Sequence, residues 1–371
     1  MFTLRYIPNE SHEIGQPDDI PEHLPHRINV TLSSGIDSHY LLHAFSLMPN
    51  FRSSNYEGLC VDFIDNRDDD EPESVKAKQI AERYGVDFRK IVIDDPLEDL
   101  SKLISIVKEP RYNLYQYYLY KLTKERTGVL VTGDGADELY LGYTFRYRKY
   151  LDSVFKCKTW EDKARLYLQC HQNDWVIDQE SLFNKTFNWN LIINHLKQYF
   201  YDGFFEDSAN KMGDNNLMLG PLILADLNGK LRYDFLPSNT KLASATGIVL
   251  LAPFLVKTEF ESALRQYTIS QKYNYEEDIG KIPLRHMLNR MTDNHKRGFG
   301  FDIVKYWQRK GFDRVVKKIN KDSLCFEYIN IDWWNKHLSD TTVPYINKFF
   351  QIYSLELYLE LMERQPLEMR V

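Results

Sequence analysis

Two short stretches of the chain concentrate residue types that could do chemistry. The first is Leu32-Ser33-Ser34-Gly35-Ile36-Asp37-Ser38. Small residues let backbone N–H groups approach an anion closely, and a helix opening inside the stretch adds a favourable dipole. Ser33, Ser34 and Ser38 add three hydroxyl donors. A carboxylate in such a loop repels phosphate unless Asp37 holds Mg²⁺ that bridges phosphate oxygens. Taken singly, the stretch also reads as a serine-rich helix cap with an acid in its first turn. The second stretch is Thr132-Gly133-Asp134-Gly135-Ala136-Asp137-Glu138. Its two glycines flank Asp134, so the backbone turns sharply there and comes close to something. Asp137 is a second candidate metal carboxylate. Taken singly, this stretch is also an ordinary Gly/Asp turn with an acidic cap.

Both stretches follow apolar runs and lead into helix-like sequence. Ile28, Val30 and Leu32 alternate with polar residues and predict a strand starting at Arg27. Residues 37–48 are predicted helical. Residues 59–64 read as a second strand and Phe88 to Ile93 as a third. Between them the pattern predicts a helix over Glu73–Tyr84, with Val75, Ile80 and Ala81 on one side and Gly85 as its stop. Residues 97–107 and 114–122 read as helices, 129–132 as a fourth strand and 139–143 as helix-like. Such alternation argues for an α/β fold, a parallel sheet with helices on both faces. Ligands in such sheets bind at the carboxyl ends of strands, near a topological switch point. Beyond Tyr150, amphipathic stretches such as 164–170 and Trp189–Phe200 predict a mostly helical lobe packed on the sheet. Residues 213–216 read as a turn. Residues 1–26, with four prolines and several acids, read as an N-terminal extension.

Composition narrows the class. With 371 residues, 43% hydrophobic and 27% charged, the chain can bury a sizeable core without disulfide or metal staples. Its 25 Tyr and 21 Phe are expected in core and interface packing. A net charge of −6 disfavours a dedicated nucleic-acid binder. The run Arg146-Tyr147-Arg148-Lys149 reads as a solvated helix face. Cys60, Cys157, Cys170 and Cys325 show no C-x-x-C spacing, which argues against a zinc site or a dithiol pair. The N-terminus lacks the pattern of a secretory signal. The longest apolar stretch, 247–256, is about half the length a membrane span needs. No membrane association and a cytoplasmic setting are expected.

Together the two stretches resemble the synthetase domain of asparagine synthetases, within the N-type ATP-pyrophosphatase superfamily. The family loop S-G-G-x-D-S is similar to Ser33-Ser34-Gly35-Ile36-Asp37-Ser38. Its second signature, S-G-E-G-S/A-D-E followed by G-G-Y, resembles Thr132 to Glu138 followed by Leu141-Gly142-Tyr143. Weaker likeness continues at Ala252-Pro253-Phe254-Leu255 (R-x-P-F-L-D), Lys281-Ile282-Pro283-Leu284-Arg285 (K-x-x-L-R) and Lys296-Arg297-Gly298-Phe299-Gly300 (K-x-G-F). The resemblance runs from about Arg27 to about Glu360. It implies a five-stranded parallel sheet with helices on both faces, of the adenine nucleotide alpha hydrolase-like kind, plus a mostly helical C-terminal lobe. It implies one domain over 27–371, in which 27–150 binds nucleotide and 151–371 completes the site. By the same resemblance, Ser33, Ser34, Gly35, Asp37 and Ser38 would bind the β,γ-phosphates of ATP, with Asp37 and Asp137 on Mg²⁺. Leu32 and Val61 would lie against the adenine, with Thr132 and Gly133 near the nucleotide. A substrate carboxylate would attack the α-phosphorus and release pyrophosphate, whose charge Mg²⁺ and fixed cations neutralise. Lys281 would contact pyrophosphate. Lys296 would stabilise charge in adenylation or acyl transfer.

The chain departs from the family on the acceptor side. Asp134 stands where the family has Glu and lactam-closing relatives have Tyr; a carboxylate there can still act as a base or orient an amine. Val249, Leu251 and Val256 replace the Glu, the Arg and the final Asp of E-x-R-x-P-F-L-D. A pocket without those charges favours a less polar or larger substrate than aspartate. Position 2 is Phe, and the first motif already begins at residue 32, so the family's N-terminal glutaminase domain has no expected place. Free ammonia, a separate glutaminase or an amine on the substrate would then supply nitrogen. The expected activity is an ATP-dependent ligase that adenylates a small-molecule or peptide carboxylate and passes the acyl group to ammonia or an amine. The alternatives are a ligase closing a lactam or macrolactam, as in β-lactam synthetases and lasso-peptide cyclases; a nucleotide- or tRNA-modifying ATP pyrophosphatase using Cys60; and a catalytically degenerate homologue.

Overall fold

The computed structural model describes residues 27–66, 72–171, 175–184, 188–291 and 300–363. Five strands form one sheet: β1 (Ile28–Thr31), β2 (Tyr56–Phe63), β3 (Asp87–Ile93), β4 (Val129–Val131) and β5 (Val249–Leu251). Their order is β3-β2-β1-β4-β5 and every pairing is parallel. β2 is buried from Glu57 to Phe63, as expected of a strand covered on both faces. The chain runs from β1 through α1 (Ile36–Ser46), β2 and α2 (Glu73–Tyr84) to β3 at one edge. It then returns through α3 (Leu100–Val107) and α4 (Tyr117–Arg126) to β4 on the other side of β1. The strand order therefore reverses between β1 and β4. Both acidic stretches leave the carboxyl ends of these two neighbours, the place where open α/β sheets form clefts.

Local differences from the expected elements have local causes. α2 has its expected bounds and ends on Gly85, whose φ of 66° suits a residue without a Cβ. Its buried face is Ser74, Ala77, Ile80 and Ala81, whereas Val75 is exposed. Asp62 at the end of β2 accepts from the Ser74 N–H at 3.1 Å and from its hydroxyl at 2.5 Å, which turns Ser74 inward and Val75 outward. Residues 139–143 are not a helix. α5 (Ala136–Leu139) is one turn, closed when the Gly142 N–H donates to the Asp137 carbonyl at 2.8 Å, and Leu141 takes a φ of 59°.

The second half is mostly helical, including Trp160–Gln169, Trp189–Phe200, Leu236–Thr246 and Val343–Glu363. The apolar run at 247–256 nevertheless contains β5, which docks beside β4 through Val249 N–H to Gly128 O and Thr132 N–H to Leu251 O, each 2.8 Å. One core cluster joins Leu59, Val61 and Phe63 of β2 to Leu103, Ile104, Phe349 and Phe350. Another joins Val30 and Val131 to Ile36, Leu41, Leu139 and Leu255. Tyr120, Tyr147, Tyr150, Tyr167, Tyr273 and Tyr306 are fully buried, so much of the aromatic content is indeed core. The run from Arg146 to Lys149 is not a solvated face throughout. Arg146 is buried and pairs with both carboxylate oxygens of Asp226 at 2.9 and 3.0 Å, because a buried guanidinium requires such a partner. Among the described residues no helix is long and apolar enough to cross a membrane.

Candidate active site

The turn after β1 is held by its own serines. The Ser33 N–H donates to Ser38 Oγ at 3.0 Å, the two hydroxyl oxygens lie 3.0 Å apart, and the Gly35 N–H donates to Ser33 Oγ at 3.1 Å. Ser38 is buried, and its hydroxyl shapes the loop from inside. Ser34 is half-buried with an anion already on its backbone: its N–H donates to Glu73 Oε1 at 2.5 Å. Its carbonyl accepts from the Arg290 guanidinium at 3.0 Å. The loop thus binds a carboxylate where a phosphate oxygen is expected, and α1 begins one residue after Gly35.

The turn after β4 packs directly on this loop. A Cβ on Gly133 would lie 3.1 Å from Asp37 Cβ. Gly135 has a φ of +90°, and a Cβ there would meet Leu255 Cδ2 at 2.4 Å, so conformation and space both require glycine. Asp134 Oδ2 accepts from the Thr132 hydroxyl and the Asn239 amide, each at 3.0 Å. Burial pushes the Asp134 carboxyl up from its ordinary range against these two hydrogen bonds, and Asp137 adds to the rise.

Asp37 and Asp137 converge on one cation. Lys281 Nζ lies 2.5 Å from Asp37 Oδ2 and 2.6 Å from Asp137 Oδ1. Lys281 is 5% exposed and sits just before the helix Ile282–Leu288, with a φ of 57° and its N–H on the Tyr140 carbonyl at 2.8 Å. Burial alone would depress the ammonium; Asp137 and Asp37 outweigh it and hold it above its ordinary range. Gly142 closes the back of the group, since a Cβ there would lie 1.8 Å from Asp137 Oδ1 and 2.2 Å from Lys281 Cε. The same donor set suits a cation carried by a nucleotide. Mg²⁺ is commonly held by one or two carboxylates plus phosphates and waters, and two carboxylates already share a positive charge here. Among the described residues no cluster of three or more Asp, Glu, His or Cys could hold a metal ion.

Not every expected residue joins the group. Lys296 lies outside the described residues. Leu32 and Val61 are buried in different apolar clusters, Leu32 with Cys60 and Val61 with Leu59 and Phe63. Alternation along the sheet puts their side chains on opposite faces. Val249, Leu251 and Val256 do not line the cavity beside Asp134. That cavity, of about 300 Å³, is lined by Leu250 and Ala252 together with Leu236, Asn239, Thr240, Ala243, Ser244 and Ile248. The strand alternation that turns Leu250 and Ala252 toward it turns Val249 and Leu251 away. Glu73, Arg290 and Asn239 were not foreseen. Their only sequence signals were a helix start after β2 and positions downstream of recognisable blocks.

Fold and site define an α/β protein in which two strand-to-helix turns at the switch point bring Asp37 and Asp137 together on Lys281. The family model described as asparagine synthase matches residues 26–348, and the chain belongs to that family of ATP-dependent amide ligases. It is 22% identical over 318 residues to asparagine synthetase [glutamine-hydrolyzing] 1 of Bacillus subtilis (strain 168), covering 76% of this chain and 48% of that relative. The chain therefore spans about half the length of the curated relative it matches.

Proposed function

We propose that the protein adenylates a substrate carboxylate with ATP, releases pyrophosphate, and transfers the acyl group to ammonia or an amine. The observation that carries this reading is the convergence of Asp37 and Asp137 on Lys281 between β1 and β4. Backbone N–H groups of Ser34 and Gly35, with the Ser33 hydroxyl, bind the β,γ-phosphates. For this to happen Glu73 must release the Ser34 N–H and the Ser33 hydroxyl must release the Gly35 N–H. Asp37 and Asp137 would hold Mg²⁺, which would supply charge neutralisation for a pyrophosphate leaving group. Lys281, which holds both carboxylates in the free protein, would yield to the ion and turn its charge toward the same group. Thr132 and Gly133 shape the nucleotide side of the cleft. Lys296 is a candidate for charge stabilisation at the acyl-adenylate.

Asp134 takes the role of proton acceptor for the nitrogen nucleophile, a reading that its raised carboxyl supports. Among the residues lining the adjacent cavity only Asp134 is charged. Aspartate would bring a second carboxylate beside Asp134, and among the described residues lining the cavity there is no Lys or Arg. The cavity therefore supports an amine with a small apolar body, including an amine on the acyl substrate itself, as in ring closure. Ammonia, free or from a separate glutaminase, is the other donor. Sulfur transfer is disfavoured, because Cys60 is buried and burial, with Asp62 and Glu73 nearby, pushes its thiol well up.

The test uses α-labelled ATP with a panel of carboxylates and hydroxylamine as trapping nucleophile. AMP, pyrophosphate and a hydroxamate are expected. ADP and phosphate as sole products would falsify the adenylation step.

A further inference from the structure

We propose that Gln116 is a positioning residue for acyl transfer: it orients Asn239, which holds one oxygen of Asp134 and leaves the other to the nitrogen nucleophile. The proposal rests on the proton-acceptor role given to Asp134 above and adds the residue that aims it. Asp134 Oδ2 accepts twice, from the Thr132 hydroxyl and from Asn239 Nδ2, each at 3.0 Å. A carboxylate has acceptors only, so Asn239 must turn its amino end toward it and its carbonyl end away. That carbonyl meets Gln116 Nε2 at 2.9 Å, which must therefore be the donor. The sense of the chain, from Gln116 through Asn239 to Asp134, follows from the carboxylate at its end.

The three residues come from three elements. Asp134 lies in the turn after β4, Asn239 in the helix Leu236–Thr246, and Gln116 directly before α4. The Gln116 backbone is fixed there, since its carbonyl accepts from the Leu119 and Tyr120 N–H groups at 3.0 and 3.2 Å. A terminal amide torsion is broad and roughly two-fold, so the buried Asn239 does not by itself choose which end faces Asp134. Gln116 makes that choice from behind. Asp134 and Asn239 line the cavity of about 300 Å³, and Gln116 is not among its lining residues. Among the described residues no hydrogen bond reaches Asp134 Oδ1, which leaves that oxygen for a ligand in the cavity. In acyl transfer the nitrogen bonds to the carbonyl carbon and one of its protons passes to Oδ1. AMP departs with the electron pair of the broken C–O bond. Because Oδ2 keeps both of its donors, the proton stays on the cavity side.

The experiment uses the carboxylate panel above with wild type, Q116L, Q116E, Q116K and D134N. It measures ATP–pyrophosphate exchange, and amide formation with ammonium chloride and with n-butylamine. One lost hydrogen bond of this kind carries about fivefold to tenfold. Q116L should lower kcat for amide formation by that factor, with exchange and the KM for the nitrogen donor within about twofold of wild type. Q116E, whose carboxylate cannot donate, should lose at least as much. Q116K restores a donor and should recover to within about threefold of wild type. An unchanged kcat for amide formation in both Q116L and Q116E would overturn the proposal. So would equal losses of exchange and amide formation, which would make Gln116 a structural staple. Should Q116L fail to fold, the contrast between Q116E and Q116K decides in the same way. D134N forming amide at the wild-type rate, or a wild type that converts neither nitrogen donor, would overturn the acceptor role of Asp134. Exchange absent from the wild type would overturn the adenylation reading. Both outcomes are distinct from a slow D134N beside normal Gln116 variants, which sinks the positioning role alone.

Discussion

Replacing Lys281 by Met removes the cation on which two carboxylates close. The ammonium is 5% exposed and makes charge-assisted contacts of 2.5 and 2.6 Å, while the Asp37 and Asp137 side chains are 22% and 23% exposed. Breaking a buried ion pair by deleting one partner costs about 3–5 kcal/mol. The partial exposure of the carboxylates places K281M near the lower end, about 3 kcal/mol. At roughly 2 °C per kcal/mol for a chain of this size, the melting temperature should fall by about 6 °C. Mg²⁺ without nucleotide should then stabilise K281M more than the wild type, because it supplies the charge that was removed. The pH dependence has a definite sign. The Lys281 ammonium is held above its ordinary range, so its contribution is complete below about pH 10 and lost only on rising through the higher folded value. In K281M the facing carboxylates repel, and protonating one of them relieves the strain. The deficit relative to wild type should therefore shrink as pH falls from about 7 to about 4. Differential scanning fluorimetry across pH, with and without Mg²⁺, reads all three effects. A variant as stable as wild type at neutral pH, or an identical Mg²⁺ shift in both proteins, would refute the shared-cation reasoning.

Glu73→Gln weakens the internal competitor for the Ser34 N–H, so ATP affinity should rise about twofold to tenfold in a calorimetric titration; weaker binding would show that Glu73 assists the nucleotide. Asp134→Asn should preserve ATP–pyrophosphate exchange with an accepted carboxylate while slowing amide formation by at least about a hundredfold. Because burial raises the Asp134 carboxyl, the wild type loses stability as pH rises through that folded value, so D134N should be the more stable protein at neutral pH, with the gap closing under acid. Gly142→Ala drives a methyl into Asp137 and Lys281, and a loss of about 1–3 kcal/mol in urea unfolding together with weakened Mg-ATP binding is expected. Cys60→Ser should leave turnover unchanged, and a large loss would revive a sulfur-carrier role.

What the sequence determined by itself is local. Glu73–Tyr84 and Trp189–Phe200 have the bounds their periodicity predicts, because apolar spacing, and in the first helix the left-handed stop at Gly85, act on neighbouring residues. The two acidic stretches were legible for the same reason: small residues, hydroxyls and carboxylates lie within a few positions of each other. Tertiary structure decided the rest. β5 is three residues in a longer apolar run and becomes a strand only by pairing with β4. Leu32 and Val61 separate because sheet register sends their side chains to opposite faces. Lys281 reaches Asp37 across 244 positions, and Arg290 reaches Ser34 across 256. No local pattern encodes such pairs. They exist because packing brings distant turns into a low-dielectric cleft, where each charge is held only if a partner meets it.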